Sequence, residues 1–207
     1  MSGRDRVKGR GCVHGTMTDA AELTVRPLTA ERWPDLEALF GPQGAFMGCW
    51  CAYWRLRHAD FGETTAAEHK ALLCDRARSD RPPGLLGYRD DEPVAWVSVE
   101  PRERFVAFEH ARVYTAVDDT PVWTVTCFYL DEAVRGQGLT AALLEAVKAH
   151  VAAHGGVAVE GYPEADADLS ATGTPDYMGL VGAFERAGFE EIARLSNGRP
   201  VYRATLG

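Results

Sequence analysis

Apolar positions along the chain change repeatedly between two periods, which predicts mixed α and β structure. Stretches with period two, or with continuous apolar character, predict strands. In chain order the predicted strands are ELTVRPL, LLGYRD, EPVAWVSV, PVWTVTCFYL, VAVEGYP, EEIARL and PVYRATL. No internal repeat and no linker interrupts this series, so the pattern predicts one domain rather than two.

Four stretches with a period near 3.6 predict helices. Thr29 is expected to cap the first, which buries Trp33, Leu36, Leu39 and Phe40. TAAE, from Thr65 to Glu68, is a capping box that predicts a second helix ending near Arg78. The third is predicted from about Gln137 to Gly155, and the fourth is LVGAFERAG, which Gly188 ends. These elements predict an α/β (α+β) fold.

Composition narrows the class of protein. The chain has 207 residues and a net charge of −8, which argues against a nucleic-acid partner. No apolar run reaches the roughly 18 to 20 residues of a membrane span, and the basic first residues lead into no hydrophobic stretch. Five cysteines without an export signal favour reduced thiols in the cytoplasm. We expect residues 1–20 to be a flexible tail and residues 21–207 to form the domain.

The stretch EAVRGQGLTAALLEAV, residues 132–147, joins the fourth predicted strand to the third helix. Backbone amides at a helix N-terminus lack partners and lie at the positive end of the helix dipole. Gly136 and Gly138 permit a sharp turn and a close approach of a ligand, and Arg135 adds a charge. The turn is therefore predicted to bind a phosphate or pyrophosphate.

Two further interpretations use the same physics. GQGLTA satisfies the relaxed dinucleotide pattern G-x-G-x-x-A, and Glu160 lies about twenty residues on, where a ribose-binding acid would sit. A nicotinamide-dependent oxidoreductase is thus an alternative, although the turn comes late in the chain and does not follow its strand directly. A glycine-rich helix start that binds nothing is the other.

The run VTCFYLDEAVRGQGLTAALLEAV, together with LVGAFERAGFEEIAR, resembles the GCN5-related N-acetyltransferase (GNAT) superfamily. Its signature, [RQ]-x-x-G-x-[GA] after a splayed strand, matches Arg135 to Gly138, and its late Gly-Phe pair matches Gly188 and Phe189. The resemblance implies a mixed sheet of about seven strands, splayed at the cofactor strand and flanked by about four helices. It implies acetyl-CoA as co-substrate. The implied cofactor-binding residues are Phe128, Tyr129, Leu130, Arg135, Gly136, Gln137, Gly138, Leu139, Thr140 and Phe184.

The sequence departs from that family at its catalytic positions. Phe184 stands where many members have a tyrosine that protonates the leaving thiolate, and Tyr177 stands where an asparagine is common. We expect Tyr177 to supply the acid. For the base we favour Glu160, then Glu132 at the mouth of the splay; His110 is a third candidate. Ordered water without a dedicated base is the other possibility.

The segment CWCAYWR is the most unusual local stretch. A zinc site lacks a second pair of ligands, and acyl-cysteine chemistry lacks an identifiable base, so we expect no metal. Packing is favoured instead, with Trp50, Tyr53 and Trp54 forming a wall between the first two helices. The resemblance implies that this wall faces the acceptor, where aromatic rings suit a cationic amine.

The combined expectation is an acetyl-CoA-dependent N-acetyltransferase that acts on a primary amine of a small molecule by direct attack in a ternary complex. The runner-up is a non-catalytic acyl-CoA sensor, which the phenylalanine at position 184 keeps open. We expect no membrane partner and a monomer or homodimer.

Overall fold

The structure is a computed structural model that describes residues 23–164 and 177–207. The expected tail lies outside these residues. Seven strands form one sheet, which confirms the predicted α/β class. The strands are β1 (Thr24–Pro27), β2 (Gly84–Arg89), β3 (Glu92–Pro101), β4 (Trp123–Leu130), β5 (Ala158–Gly161), β6 (Glu190–Arg194) and β7 (Pro200–Thr205).

The strand order across the sheet is β1-β2-β3-β4-β5-β7-β6. Every neighbouring pair is antiparallel except β4 and β5, which are parallel. Their pairing is short: it starts at Trp123 with Val159 and ends at Val125 with Gly161. Since β4 continues to Leu130, its second half has lost β5 as a neighbour, and this gap is the splay.

A β-bulge in β4 lies at the start of the splay. Cys127 pairs with Ser98 and Val125 pairs with Val99, so Thr126 is an extra residue on β4. A bulge bends its strand and increases the local twist, which directs β4 away from β5. The Thr126 hydroxyl donates to Ser98 Oγ at 3.1 Å and thereby keeps its polar atom satisfied in a buried position.

Six helices accompany the sheet in the described residues: α1 (Trp33–Phe40), α2 (His58–Glu63), α3 (Ala66–Ala77), α4 (Val106–His110), α5 (Leu139–Ala153) and α6 (Val181–Arg186). The sequence predicted α1, α3, α5 and α6 but not the two short ones. The capping box of α3 is confirmed, with Thr65 and Glu68 each accepting from the other's backbone amide. The predicted helix cap at Thr29 is wrong, because the Thr29 side chain makes no capping hydrogen bond.

Side chains of β3 alternate between the two faces of the sheet and supply both cores. Ala95, Val97 and Val99 pack with the apolar positions of α5 and α6. Trp96 lies on the opposite face with α1 and α3. A third cluster, around Trp54 and Phe108, includes Tyr162, which follows the last paired residue of β5. Among the described helices none is both long and apolar enough to cross a membrane.

Candidate active site

The free edge of β4 is the central feature of the candidate site. Beyond Val125 the strand is paired on one side only, with β3. Phe128 and Leu130 direct backbone groups away from β3, since alternate residues of a strand face opposite neighbours. An exposed edge of this kind binds an extended ligand as an additional strand would.

The predicted phosphate turn follows that edge after one short 3-10 turn, Glu132–Val134. Gly136 and Gly138 have φ values of 73° and 79°, a region that L side chains rarely adopt. A Cβ added at either would meet nothing within 4 Å, so the turn is open to a ligand. Gly138 is the N-cap of α5 and offers no side-chain cap, which leaves the first amides of the helix to an external acceptor.

Side chains around the turn are held by specific bonds. Arg135 folds back on the strand: its Nε donates to the Leu130 carbonyl at 3.1 Å, and its guanidinium lies 3.5 Å from Glu132. Gln137 Nε2 donates to the Ala133 carbonyl at 2.9 Å. Arg89, from the end of β2, donates to Gln137 Oε1 at 2.5 Å. Sequence reasoning missed Arg89 because it lies 48 residues from the turn along the chain.

Tyr177 lies at the free edge through its backbone. Its carbonyl accepts a hydrogen bond from the Phe128 amide, with an N–O distance of 2.6 Å. The next glycine, Gly179, has φ 87°, and a Cβ there would lie 2.9 Å from the Phe128 ring. The Tyr177–Gly179 segment therefore fits closely against β4, and the Tyr177 side chain is 39% exposed.

Phe184 lies in the core instead of on the cofactor edge. It is fully buried among Phe128, Phe189 and Tyr202. A Cβ added at Gly161 would lie 2.3 Å from its ring, so the last residue of β5 must be glycine for the ring to fit. In the described structure Phe184 supports β4 and β5 from beneath and presents no surface to a ligand.

Glu160 is buried and engaged. It is 2% exposed, and its Oε1 accepts from Arg203 Nε at 2.8 Å. Asp118 binds the same guanidinium from the other side at 2.8 Å, and this contact holds the pKa of the Asp118 carboxyl below its ordinary range. Most of the hydrogen-bonding capacity of Glu160 is thus used within the protein, and no solvent-exposed face of it remains to accept a proton directly.

Tyr162 connects Glu160 to the region beyond the splay. Its hydroxyl lies 3.4 Å from Glu160 Oε2 and accepts from Arg102. Burial raises the pKa of the Tyr162 phenol well above its ordinary value, so the hydroxyl keeps its proton. Tyr162 follows the last paired residue of β5, which places it at the apex where β4 and β5 separate.

The other two predicted bases lie away from the apex. Glu132 is exposed beside the turn, where it pairs with Arg135. The apex at Val125 is five residues from Leu130, or roughly 17 Å along an extended strand. His110 is exposed at the C-terminal end of α4.

The cysteine-rich segment is a series of turns that Arg55 anchors. Buried Arg55 donates to Glu100 at 2.9 Å and to the carbonyls of Cys51 and Pro83. Cys51 Sγ accepts from the Trp96 indole at 3.2 Å. Both ring nitrogens of the nearby His69 are occupied by protein oxygens. Within residues 23–164 and 177–207, no three His, Cys, Asp or Glu side chains are arranged to hold a metal.

Trp50, Tyr53 and Trp54 do not form the single wall that the sequence suggested. Trp50 stacks on Trp33 at 5.8 Å and belongs to the cluster beneath α1. Trp54 stacks on Phe108 of α4 at 4.8 Å, with Tyr53 against its edge. Trp50 and Trp54 thus belong to different clusters, because Trp54 packs against α4, a helix that the sequence did not predict.

A cavity of about 530 Å³ opens between α4 and the residues preceding β4. Phe108 and Tyr114 form its aromatic part, and its charged lining residues are Arg102, Glu103, Glu109 and Arg112. Two contacts join it to the splay: Arg102 donates to Tyr162, and the Tyr114 hydroxyl lies 4.0 Å from Met178 Sδ. The cavity thus lies one layer of side chains from the free edge of β4.

A family model described as "Acetyltransferase (GNAT) family" matches residues 50–171, more than half of the chain. The chain belongs to the GNAT family. The family resemblance predicted from the sequence is therefore confirmed. The nicotinamide alternative no longer stands, because the sheet is antiparallel apart from one pair of strands.

Solved GNAT structures share the fold of this chain at low sequence identity. The aminoglycoside acetyltransferase AAC(6')-Ib with paromomycin and acetyl-CoA is 18% identical, with a TM-score of 0.51, over 88% of this chain and 93% of its own. The same enzyme in complex with coenzyme A and kanamycin is 17% identical, with a TM-score of 0.52, over 89% of this chain and 95% of its own. An N-acetyltransferase from Staphylococcus aureus Mu50 is 13% identical, with a TM-score of 0.54, over 90% of this chain and 99% of its own. No curated protein matches the sequence significantly.

Proposed function

We propose that this protein transfers the acetyl group of acetyl-CoA to a primary amine of a small molecule, by direct attack in a ternary complex. One observation carries the proposal: β4 loses its neighbour after Val125 and leads into an open glycine turn at a helix N-terminus. An extended chain that ends in a pyrophosphate complements both features at once. The structural relatives solved with coenzyme A or acetyl-CoA support this choice of co-substrate.

The direction of the bound cofactor follows from these two features. With the pyrophosphate on the amides of Gly136 to Thr140, the pantetheine runs back along β4 past Leu130 and Phe128. The thioester then lies toward the apex at Val125, not at Glu132. Because the Phe128 amide donates to Tyr177, binding either displaces that bond or uses the Phe128 carbonyl and the Leu130 amide.

The acceptor amine enters from the cavity beside α4. Tyr114 supplies an aromatic ring to the lining, whereas Phe108 is already covered by Trp54 and the Arg102 guanidinium. Glu103 and Glu109 bring negative charge to the lining, opposite the positive charge of Arg102 and Arg112. Trp54 supports this wall from behind, at 4.9 Å from the Tyr114 ring. Relatives that bind aminoglycosides support a polar, amine-bearing acceptor.

The chemistry needs one proton removed and one delivered. The neutral amine attacks the thioester carbonyl, the tetrahedral intermediate collapses, and the C–S bond breaks as the amide forms. We propose that Tyr177 gives its phenolic proton to the departing thiolate; the hydrogen bond from the Phe128 amide to its carbonyl, which keeps the residue beside β4, supports this choice. Glu160 acts through Tyr162 and water on the proton that the amine releases; it orients the Tyr162 hydroxyl at 3.4 Å and does not touch the substrate.

The test is calorimetric titration of the purified protein with acetyl-CoA, longer acyl-CoAs and NADH, followed by an assay of thiol release against a panel of primary amines. We expect acetyl-CoA to bind and at least one amine to release CoA thiol. Binding of NADH without binding of acetyl-CoA would contradict the proposal.

A non-catalytic acyl-CoA sensor is the second candidate. The observation that favours it is the complete burial of Phe184 at the position where many relatives carry their acid. Binding of acetyl-CoA, with no thiol release above the hydrolytic background for any amine in the panel, would support the sensor.

A further inference from the structure

Arg135, the cationic residue of the turn itself, already has partners within the protein. Arg135 Nε donates to the Leu130 carbonyl at 3.1 Å, and its guanidinium pairs with Glu132 at 3.5 Å. Both side chains of that pair are largely exposed, at 55% and 87%. The charge of Arg135 is therefore partly neutralised by Glu132, and its geometry serves to close the turn onto the end of β4.

Arg89 is a second cation at the same place, and it has a different set of contacts. It ends β2 and reaches the turn by donating to Gln137 Oε1 at 2.5 Å. Its Nε is buried and has no hydrogen-bond partner within the described residues. In the same part of the chain no carboxylate forms an ion pair with it, although Asp90, Asp91 and Glu92 follow it directly.

Such an arrangement is costly without an anion. A buried guanidinium N–H without an acceptor loses the hydrogen bond that water would supply. An unneutralised charge beside the positive end of α5 is also unfavourable. A phosphate bound at the turn removes the electrostatic cost, because its negative charge is opposed by the guanidinium, and its oxygens accept charge-assisted bonds.

We propose that Arg89 is a phosphate-binding residue of the cofactor site, which holds either the pyrophosphate or the 3′-phosphate of CoA. The Gln137 amide positions the guanidinium: its oxygen accepts from Arg89 and its nitrogen donates to the Ala133 carbonyl. Because Arg89 ends β2, the β2–β3 hairpin would then contribute to the recognition of CoA as the acetyl donor. This inference rests on the proposed function, since it assigns a residue to the same CoA site.

The test uses Arg89→Met, which keeps the apolar stem, and Arg89→Lys, which keeps the charge. Wild type and variants are titrated with CoA, 3′-dephospho-CoA and pantetheine. We expect Arg89→Met to weaken CoA binding by about 10- to 100-fold, the range for one charge-assisted hydrogen bond. Pantetheine binding should not change, and Arg89→Lys should recover part of the loss.

The probes separate the two phosphates. If Arg89 binds the pyrophosphate, Arg89→Met weakens CoA and dephospho-CoA alike. If it binds the 3′-phosphate, only CoA is weakened. Either result supports the inference.

The matched control is Arg26→Met, which removes an arginine of β1 that pairs with Asp91 at 3.7 Å and should leave CoA affinity unchanged. CoA affinity unchanged in Arg89→Met would overturn the role of Arg89 alone. A proportional loss of pantetheine binding would overturn it as well. Failure of the folded wild type to bind CoA would overturn the proposed function too.

Discussion

The two ends of the free edge of β4 are built in opposite ways. At the turn the proposed ligand-binding groups are backbone amides next to glycines, and a Cβ at Gly136 or Gly138 would touch nothing within 4 Å. At the apex the polar groups are buried side chains with partners within the protein: Glu160 with Arg203, and Tyr162 with Arg102. The turn is thus preorganised and open, whereas the apex is a closed network.

This difference suits the turn to cofactor binding and the apex to the proton transfers of the proposed reaction. We expect the turn to hold phosphate without rearrangement, because the start of α5 has no side-chain cap and lies at the positive end of the helix dipole. The apex must hold proton donors and acceptors in fixed geometry, which requires partners from distant parts of the chain. Substitutions at the turn should therefore change cofactor affinity, and substitutions at the apex should change kcat or stability.

Gly138→Glu should have the largest effect. The substitution places a side chain and a negative charge where the pyrophosphate is expected, so CoA binding should be abolished, as measured by calorimetry. Gly198→Glu is the matched control, since Gly198 has φ 86° and open space around it in another turn. Equal CoA affinity in the two folded variants would contradict the assignment of the turn.

Tyr177→Phe should have the next largest effect, on kcat alone. Loss of a general acid lowers kcat by about a hundredfold or more. The backbone bond from Phe128 to position 177 does not need the hydroxyl, so acetyl-CoA affinity should be retained. A change confined to KM would make Tyr177 a binding residue instead of the acid.

Arg203→Met should break the apex network and lower stability. It leaves buried Glu160 without its cation, a change that typically costs about 3 to 5 kcal/mol. The double variant with Glu160→Gln should recover part of this loss in urea unfolding, because no unpaired charge remains. A double variant that is less stable than the single variant by the full cost of Glu160→Gln would indicate that the two side chains are independent.

His150 should have the smallest effect, and it should be visible only as a function of pH. It lies near the C-terminal end of α5, against Trp123 and His154, and burial lowers the pKa of His150 to about 4. The unfolded chain binds a proton near pH 6.5, so stability should fall as the pH is lowered from about 6.5 to about 4. His150→Phe should flatten that part of the stability profile, and His154→Gln should flatten it less, because it removes only the smaller cause of the lowered His150 pKa. An unchanged slope in His150→Phe would assign it to other groups.

Sequence reasoning reached the turn because it is local. Gly136, Gly138 and the apolar period of α5 lie within one stretch, and β4 is apolar on both faces. The residues of the apex were predicted from the sequence only in part. Glu160 was named, but its partner Arg203 is 43 residues away, and Arg102 is 60 residues from Tyr162. Short helices such as α4 give too few apolar repeats to reveal a period, so the cavity beside it was not predicted.

The central claim is that one extended cofactor lies along the free edge of β4 with its pyrophosphate on the turn. Amide hydrogen exchange measured by NMR, with and without acetyl-CoA, tests it most directly. The account predicts slower exchange at Leu130 and at Gly136 through Thr140. Added acetyl-CoA that slows exchange only around the cavity beside α4, or at no amide of β4 and the turn, would contradict it.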